Sequence, residues 1–230
     1  MTPSSVKSSR LSTVLRLLRP LYPVEPPRRT DPLTELIYTV LSQHTSDANS
    51  VPAGDELLRT FKSWDAIARG DTARIAGAIR RGGLAQLKAR RIQAILHEIK
   101  TRRGDYNLGF LKSLPLEEAR EWLSSLKGVG PKTAACVLLF SLGRPALPVD
   151  THVYRVAQRL RLIGRKVTPA QAHARLEAML TPAEVLSFHV LLITHGRQVC
   201  KAQRPLCSQC VLSDVCPSST LGKKNSRTPE

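Results

Sequence analysis

Apolar residues recur along this chain at intervals of three and four, and nowhere do they alternate with polar ones for long. Leu11, Val14, Leu15, Leu18 and Leu21 form the first such stripe, with basic residues between them, until Tyr22-Pro23 stops it. A proline-rich linker occupies residues 24–32. Asp31-Pro32 then opens a helix to about His44, Ser63 a short one, and Asp71 another that runs out at Gly82-Gly83. Residues 84–103 are a long amphipathic stretch ended by Gly104, and Leu114-Pro115 starts a helix through Leu126. Gly128-Val129-Gly130 is a tight turn into a helix over residues 131–142. Asp150 caps a helix reaching Leu162, and Thr168-Pro169 and Thr181-Pro182 open two more. With no sustained period-two segment and no repeat of fixed period, the pattern predicts an all-α fold. Residues 218–230 are polar and are expected to be a disordered tail.

Composition narrows the function. The 230 residues are 42% hydrophobic, enough for one or two domains with a buried core and too many for low-complexity disorder. No apolar run approaches the roughly 18 residues that a bilayer span needs, so a membrane partner is not expected. Lys and Arg number 35 against 18 Asp and Glu, a formal charge of +17 that calls for a polyanion, nucleic acid first among them. Aromatics at 4% are too few for a single-strand binder that stacks bases on aromatic platforms. Residues 1–20 carry Ser, Lys and Arg and no acid, which is transit-peptide-like, yet read more plainly as a disordered tip before an amphipathic helix. The expected location is the cytoplasm or nucleoid, with an organelle as the alternative.

Three constellations could carry chemistry. In Leu126-Lys127-Gly128-Val129-Gly130-Pro131-Lys132-Thr133-Ala134, two glycines turn the chain between helices and Pro131 suits a first helical position. Unpartnered N–H groups at such a helix start can hold a phosphate, though ordinary helical corners use glycines too. Lys132 and Asp150 form the second; by composition alone the first is one basic residue among many and the second a good N-cap. The third is Cys200-x6-Cys207-x2-Cys210-x5-Cys216, four cysteines packed together while Cys136 stands apart. An odd count clustered in this way reads as a metal or cluster site, not a disulfide framework, and the spacing allows zinc or iron–sulfur alike. Arg197, Lys201 and Arg204 crowd the same segment and could offset tetrathiolate charge or face a phosphate backbone.

Residues 126–135, then Val149-Asp150-Thr151-His152, then this cysteine spacing, resemble the endonuclease III family of helix-hairpin-helix DNA glycosylases. The resemblance runs from about Asp31 to Pro217 and includes Leu41-Ser42-Gln43-His44-Thr45-Ser46-Asp47 and Gly83-Leu84-Ala85-Gln86-Leu87-Lys88-Ala89. It implies two helical lobes about a DNA cleft: a barrel over 33–143 containing the hairpin, and a cluster domain of 1–32 plus 144–217. It implies a [4Fe-4S] cluster on Cys200, Cys207, Cys210 and Cys216, and a monomer acting on duplex DNA with damaged bases or abasic sites. Lys132 falls on the family's nucleophile, an amine that must attack C1′ in its neutral form. Asp150 falls on its catalytic carboxylate, and Leu84 on a residue pushed into the duplex beside the lesion. Gly128 and Gly130 fall on the phosphate-binding turn, with Lys201 and Arg204 expected against DNA. The family's gap-filling glutamine aligns with His44, while Gln43 precedes it by one, and residues 104–113 are extra sequence. The activity implied is a bifunctional N-glycosylase and AP lyase for oxidised pyrimidines. An AP-site-specialised or monofunctional relative and a non-enzymatic helix-hairpin-helix module are the alternatives. Lys132 and the short tail argue against the adenine-removing branch.

Overall fold

A computed structural model of the chain describes residues 3–27 and 29–221, with side chains from Ser9 onward. Among the described residues the regular elements are all helices, with no strand, and these residues separate into two compact units: Pro27–Ala146, and the chain up to Pro26 together with the chain from Leu147.

The unit Pro27–Ala146 begins with α2 (Pro32–Leu41), one of three helices here that open on a short polar cap, its Asp31 carboxylate accepting from the Thr34 N–H at 3.0 Å. Next comes α3 (Asp47–Phe61), which the hydrophobic pattern does not signal because Pro52 and Gly54 interrupt it. Packing overrides those breakers: Gly54 lies so near the Tyr38 ring that a Cβ there would sit 2.5 Å from it, and the Tyr38 hydroxyl donates to Asp55 at 2.6 Å. Ser63 and Asp71 cap α4 (Trp64–Arg69) and α5 (Thr72–Ala78) as the sequence predicts. A 3₁₀ turn at Arg80–Gly82 leads to Leu84, and α6 (Ala85–Arg103) runs across the unit with Ala89, Ile92, Ile95, Leu96 and Ile99 buried.

The extra residues 104–113 have a place in this unit. Leu108 and Leu111 are buried, and Phe110 meets Trp122 edge-on at 5.1 Å with the Arg103 guanidinium 4.0 Å above its ring. Arg144 donates to the Leu111 carbonyl at 3.0 Å and also to that of Leu114. After α7 (Leu116–Ser125) comes α8 (Pro131–Cys136), which the sequence takes through to 142 as one α-helix; from Val137 to Ser141 the backbone is π-helical instead.

In the other unit, α1 (Pro3–Leu18) buries Leu11, Val14, Leu15 and Leu18 and packs on α11 (Val185–Gln198). The stripe ends one turn earlier than the sequence suggests: Leu21 is 49% exposed, and Tyr22 turns inward in its place. Asp150 caps α9 (Thr151–Arg159), which pairs with α11, and Thr168 closes a capping box on α10 (Pro169–Glu177). Ser218 and Ser219, expected in a disordered tail, are held in position: Ser218 Oγ donates to the Arg159 carbonyl at 2.9 Å and Ser219 is buried. The rest of that expected tail, 222–230, lies outside the described residues, as does the tip of the expected disordered N-terminus.

Candidate functional site

In the unit Pro27–Ala146, the hairpin is built as its sequence requires. Leu126 ends α7 in an extended conformation, Val129 N–H bonds the Leu126 carbonyl at 3.0 Å, and Gly128 takes φ +88°. Gly128 is constrained twice over, since a Cβ there would lie 2.6 Å from Nε of Arg91. Gly130 is the N-cap of α8 and no side chain caps that end, so its first N–H groups remain available to an acceptor. Lys132, half-buried, is the second residue of the helix. A residue the sequence reading missed sits close by: the Glu35 carboxyl feels the Lys132 charge. Burial raises its pKa above the usual carboxylate value, while hydrogen bonds from Thr30 and Thr39, and then Lys132, pull it back.

Gln43 and His44 follow α2 and behave oppositely. Gln43 is tied inward: its Oε1 accepts from Arg91 Nη1, and its Nε2 lies 3.4 Å from the Thr133 hydroxyl beside Lys132. His44 is exposed with φ +57°. Leu84 is 55% exposed with φ +49°. Only five non-glycine residues among those described have positive φ, and three of them, His44, Leu84 and Arg204, are sequence candidates for DNA contact. Such strained backbone concentrates at functional sites. Gln43, Thr133, Lys132 and the Gly128 turn are thus brought together, while Leu84 projects from the start of α6.

In the second unit, Asp150 Oδ1 accepts the Val153 N–H at 2.7 Å as the cap of α9. The extended segment before it is pinned by side chains from α10 and α11. Nδ1 of His173 bonds the Leu147 carbonyl and Nδ1 of His189 the Pro148 carbonyl, both at 2.8 Å, and Glu177 accepts the Leu147 N–H.

Cys200, Cys207, Cys210 and Cys216 line one cavity with Val156, Leu160, His195 and Leu212, and none of the four is in a disulfide. Arg159 donates to Cys200 Sγ at 3.2 Å and to the carbonyls of Lys201 and Ala202 at 2.7 and 2.9 Å. His195 is buried, with Nε2 3.5 Å from Cys210 Sγ and Nδ1 3.2 Å from the Tyr22 hydroxyl; burial pushes its pKa down to about 4, so the imidazole is neutral. Burial and the neighbouring thiols push Cys210 and Cys216 up, whereas hydrogen bonds from Thr220 lower Cys207. Among the described residues no three Cys, His, Asp or Glu groups converge as a single ion requires, although four thiols share one cavity. Four cysteines lining one cavity are the donor set of a tetrathiolate centre. Lys201 and Arg204 are exposed on the same loop.

Residues 37–182 match the HhH-GPD superfamily of base excision DNA repair proteins, and residues 200–216 the iron–sulfur binding domain of endonuclease III. Endonuclease III of Sulfolobus acidocaldarius is 32% identical over 183 residues, covering 79% of each chain. Endonuclease III of Thermotoga maritima is 32% identical over 189 residues, covering 82% of this chain and 84% of that one. This chain belongs to the endonuclease III family. A longer relative from Arabidopsis thaliana is 36% identical over 178 residues, which are 77% of this chain and 58% of the relative. Among solved structures, a trapped endonuclease III–DNA covalent intermediate matches with TM-score 0.81 at 27% identity, over 92% of this chain and 96% of that one. A non-covalent endonuclease III–DNA complex matches at 0.79, also at 27% identity, over 95% and 97%. DNA is the partner that this membership carries, and the cofactor is a [4Fe-4S] cluster.

Sequence reasoning missed Lys88, Arg91, Arg159, His195 and Glu35. Only Lys88 left a signal: it stands in the apolar stripe of α6 that continues through Ile92, Ile95 and Ile99.

Proposed function

We propose that this protein is a bifunctional DNA N-glycosylase and AP lyase that removes oxidised pyrimidines from duplex DNA, working as a monomer on damaged bases and abasic sites. The observation that carries the reading is Lys132, an amine at the uncapped start of α8 in a family whose DNA complexes include a trapped covalent intermediate. The Nζ lone pair attacks C1′ of the damaged nucleotide, and the glycosidic bond breaks with its electron pair on the departing base, which takes up a proton. Opening of the C1′–O4′ bond leaves an iminium to Lys132. Loss of a C2′ proton then expels the 3′ phosphate and nicks the strand. The Asp150 carboxylate stabilises positive charge at C1′ or manages the amine's protons.

The other candidates have binding roles. The N–H groups after Gly128 and Gly130 receive a backbone phosphate, Leu84 enters the stack, and His44 fills the emptied space while Gln43 holds its loop. Lys201 and Arg204 supply phosphate contacts. Cys200, Cys207, Cys210 and Cys216 hold the cluster, whose thiolate–iron bonds tie the loop into one fold. The barrel over 33–143 supplies Lys132 and the hairpin, and the cluster domain of 1–32 plus 144–217 supplies Asp150 and the four cysteines. We place the protein with genomic DNA in the cytoplasm or nucleoid, with an organelle as the alternative.

The test is a panel of duplexes carrying single lesions, with base release, strand nicking and borohydride trapping measured separately. Release of oxidised pyrimidines together with trapping is the expected result; nicking of abasic duplex alone, or DNA binding without trapping, overturns the reading.

A further inference from the structure

Lys88 lies on the buried face of α6, only 2% exposed, where an aliphatic residue would complete the stripe. Its ammonium takes part in none of the ion pairs among the described residues. Instead Nζ donates to the Leu41 carbonyl at 2.6 Å and to the Gly82 carbonyl at 2.7 Å. The first is the last carbonyl of α2, at the negative end of that helix, and the second ends the 3₁₀ turn. Burying a charge without a carboxylate is costly, and a methionine would fill the volume more cheaply. What the lysine adds is position. Leu41 is two residues before Gln43 and three before His44, and Gly82 is two before Leu84.

One turn further along α6, Arg91 extends the same connection. It donates to Gln43 Oε1 and lies over Gly128, while Gln43 reaches toward Thr133 next to Lys132. Burial, and then the Arg91 charge, lower the Lys88 pKa, as expected for a cation held by carbonyls alone.

We propose that Lys88 is a positioning residue of the DNA interface, locking the Gly82–Leu84 turn to the end of α2 so that the intercalating leucine and the gap-filling loop move as one piece. The proposal rests on the reading that Leu84 enters the duplex.

The experiment is a double-mutant cycle with Lys88→Met, Leu84→Ala and the double variant, all in the full-length protein. Affinity is measured for a duplex bearing a tetrahydrofuran abasic analogue and for the undamaged duplex. A 2-aminopurine beside the lesion reports unstacking, and thermal unfolding checks the fold. Leu84→Ala and Lys88→Met should each lower the preference for the abasic duplex about tenfold, because neither variant can hold the stack open. Each should weaken binding to the undamaged duplex far less than to the abasic one, and the double variant should lose no more of the preference than the worse single. Unaltered preference in Lys88→Met, or a double variant that loses the product of the two effects, overturns the proposal. A silent Leu84→Ala removes the reading beneath it, which is a separate result. If Lys88→Met does not fold, Lys88→Gln, which can reach one carbonyl, replaces it in the cycle. A partial loss that vanishes on the Leu84→Ala background upholds the proposal, and an additive loss overturns it.

Discussion

His44 and Leu84, forty residues apart in sequence, share a left-handed backbone conformation, with φ of 57° and 49°. Both side chains are exposed, so neither conformation is imposed by burying the residue that adopts it. Gln43, beside the first, is instead held by Arg91.

This contrast gives separate expectations for the two neighbours. His44→Gln should remain active, and His44→Ala should slow single-turnover excision roughly tenfold through loss of the group that occupies the gap. Gln43→Ala should lower the melting temperature as well, having cut the link to Arg91 and Thr133. A normal rate for His44→Ala with the main defect in Gln43→Ala would transfer the gap-filling role to Gln43.

Lys132→Ala should abolish borohydride trapping and strand nicking while binding to damaged duplex changes little. The substitution removes at most one phosphate interaction, which shallows the salt slope by about one unit. Trapping at the wild-type level would remove Lys132 from the chemistry.

Asp150→Asn preserves the group that caps α9 at Val153, and asparagine caps nearly as well as aspartate, so the stability change should stay within about 1 kcal/mol. Excision should nevertheless fall by orders of magnitude. A variant that melts early but keeps its activity per folded molecule would reduce Asp150 to a cap.

Glu35 predicts a pH dependence. Its folded-state pKa is raised, above all by burial, so between the ordinary value of 4.5 and the folded value the native chain binds more protons than the unfolded one. This contribution to stability is therefore fully present below pH 4.5 and is lost as pH climbs through the folded pKa. Glu35→Gln should remove that slope from the stability profile measured by denaturant titration between pH 4 and 8. Superimposable slopes for the two proteins would show that the carboxyl does not titrate differently on folding.

Cys207→Ser should give a colourless, poorly soluble protein, because one ligand of the cluster loop is gone. Replacing Lys201 and Arg204 by alanine should keep the brown colour and reduce the salt dependence of binding by about one unit for each phosphate that the loop no longer neutralises. An unchanged salt slope would turn this loop away from DNA.

What could be read from the sequence divides along physical lines. Glycines with positive φ, proline at N1, aspartate and threonine caps and cysteine spacing are local signals, and they located the hairpin, Asp150 and the cluster loop. Helix α3 was invisible because Pro52 and Gly54 look like breakers until the Tyr38 ring is known to lie against Gly54. Arg159 was equally invisible, being one arginine among many until Cys200 is folded back onto it. The π-helical turn at Val137–Ser141 and the inward turn of Tyr22 likewise depend on packing between distant parts of the chain.

The pairing of α1 with α11 has a consequence for synthesis. The Pro27–Ala146 unit is continuous in sequence and can close as soon as it leaves the ribosome, but α1 precedes it and α11 follows it. At translation rates of about 5–20 residues per second, Leu11, Val14, Leu15 and Leu18 wait on the order of ten seconds or more for their covering helix. The nascent chain thus carries an amphipathic, basic helix ahead of a finished domain, with its apolar stripe uncovered until α11 has been made. Chaperone engagement during biogenesis should centre on that stripe.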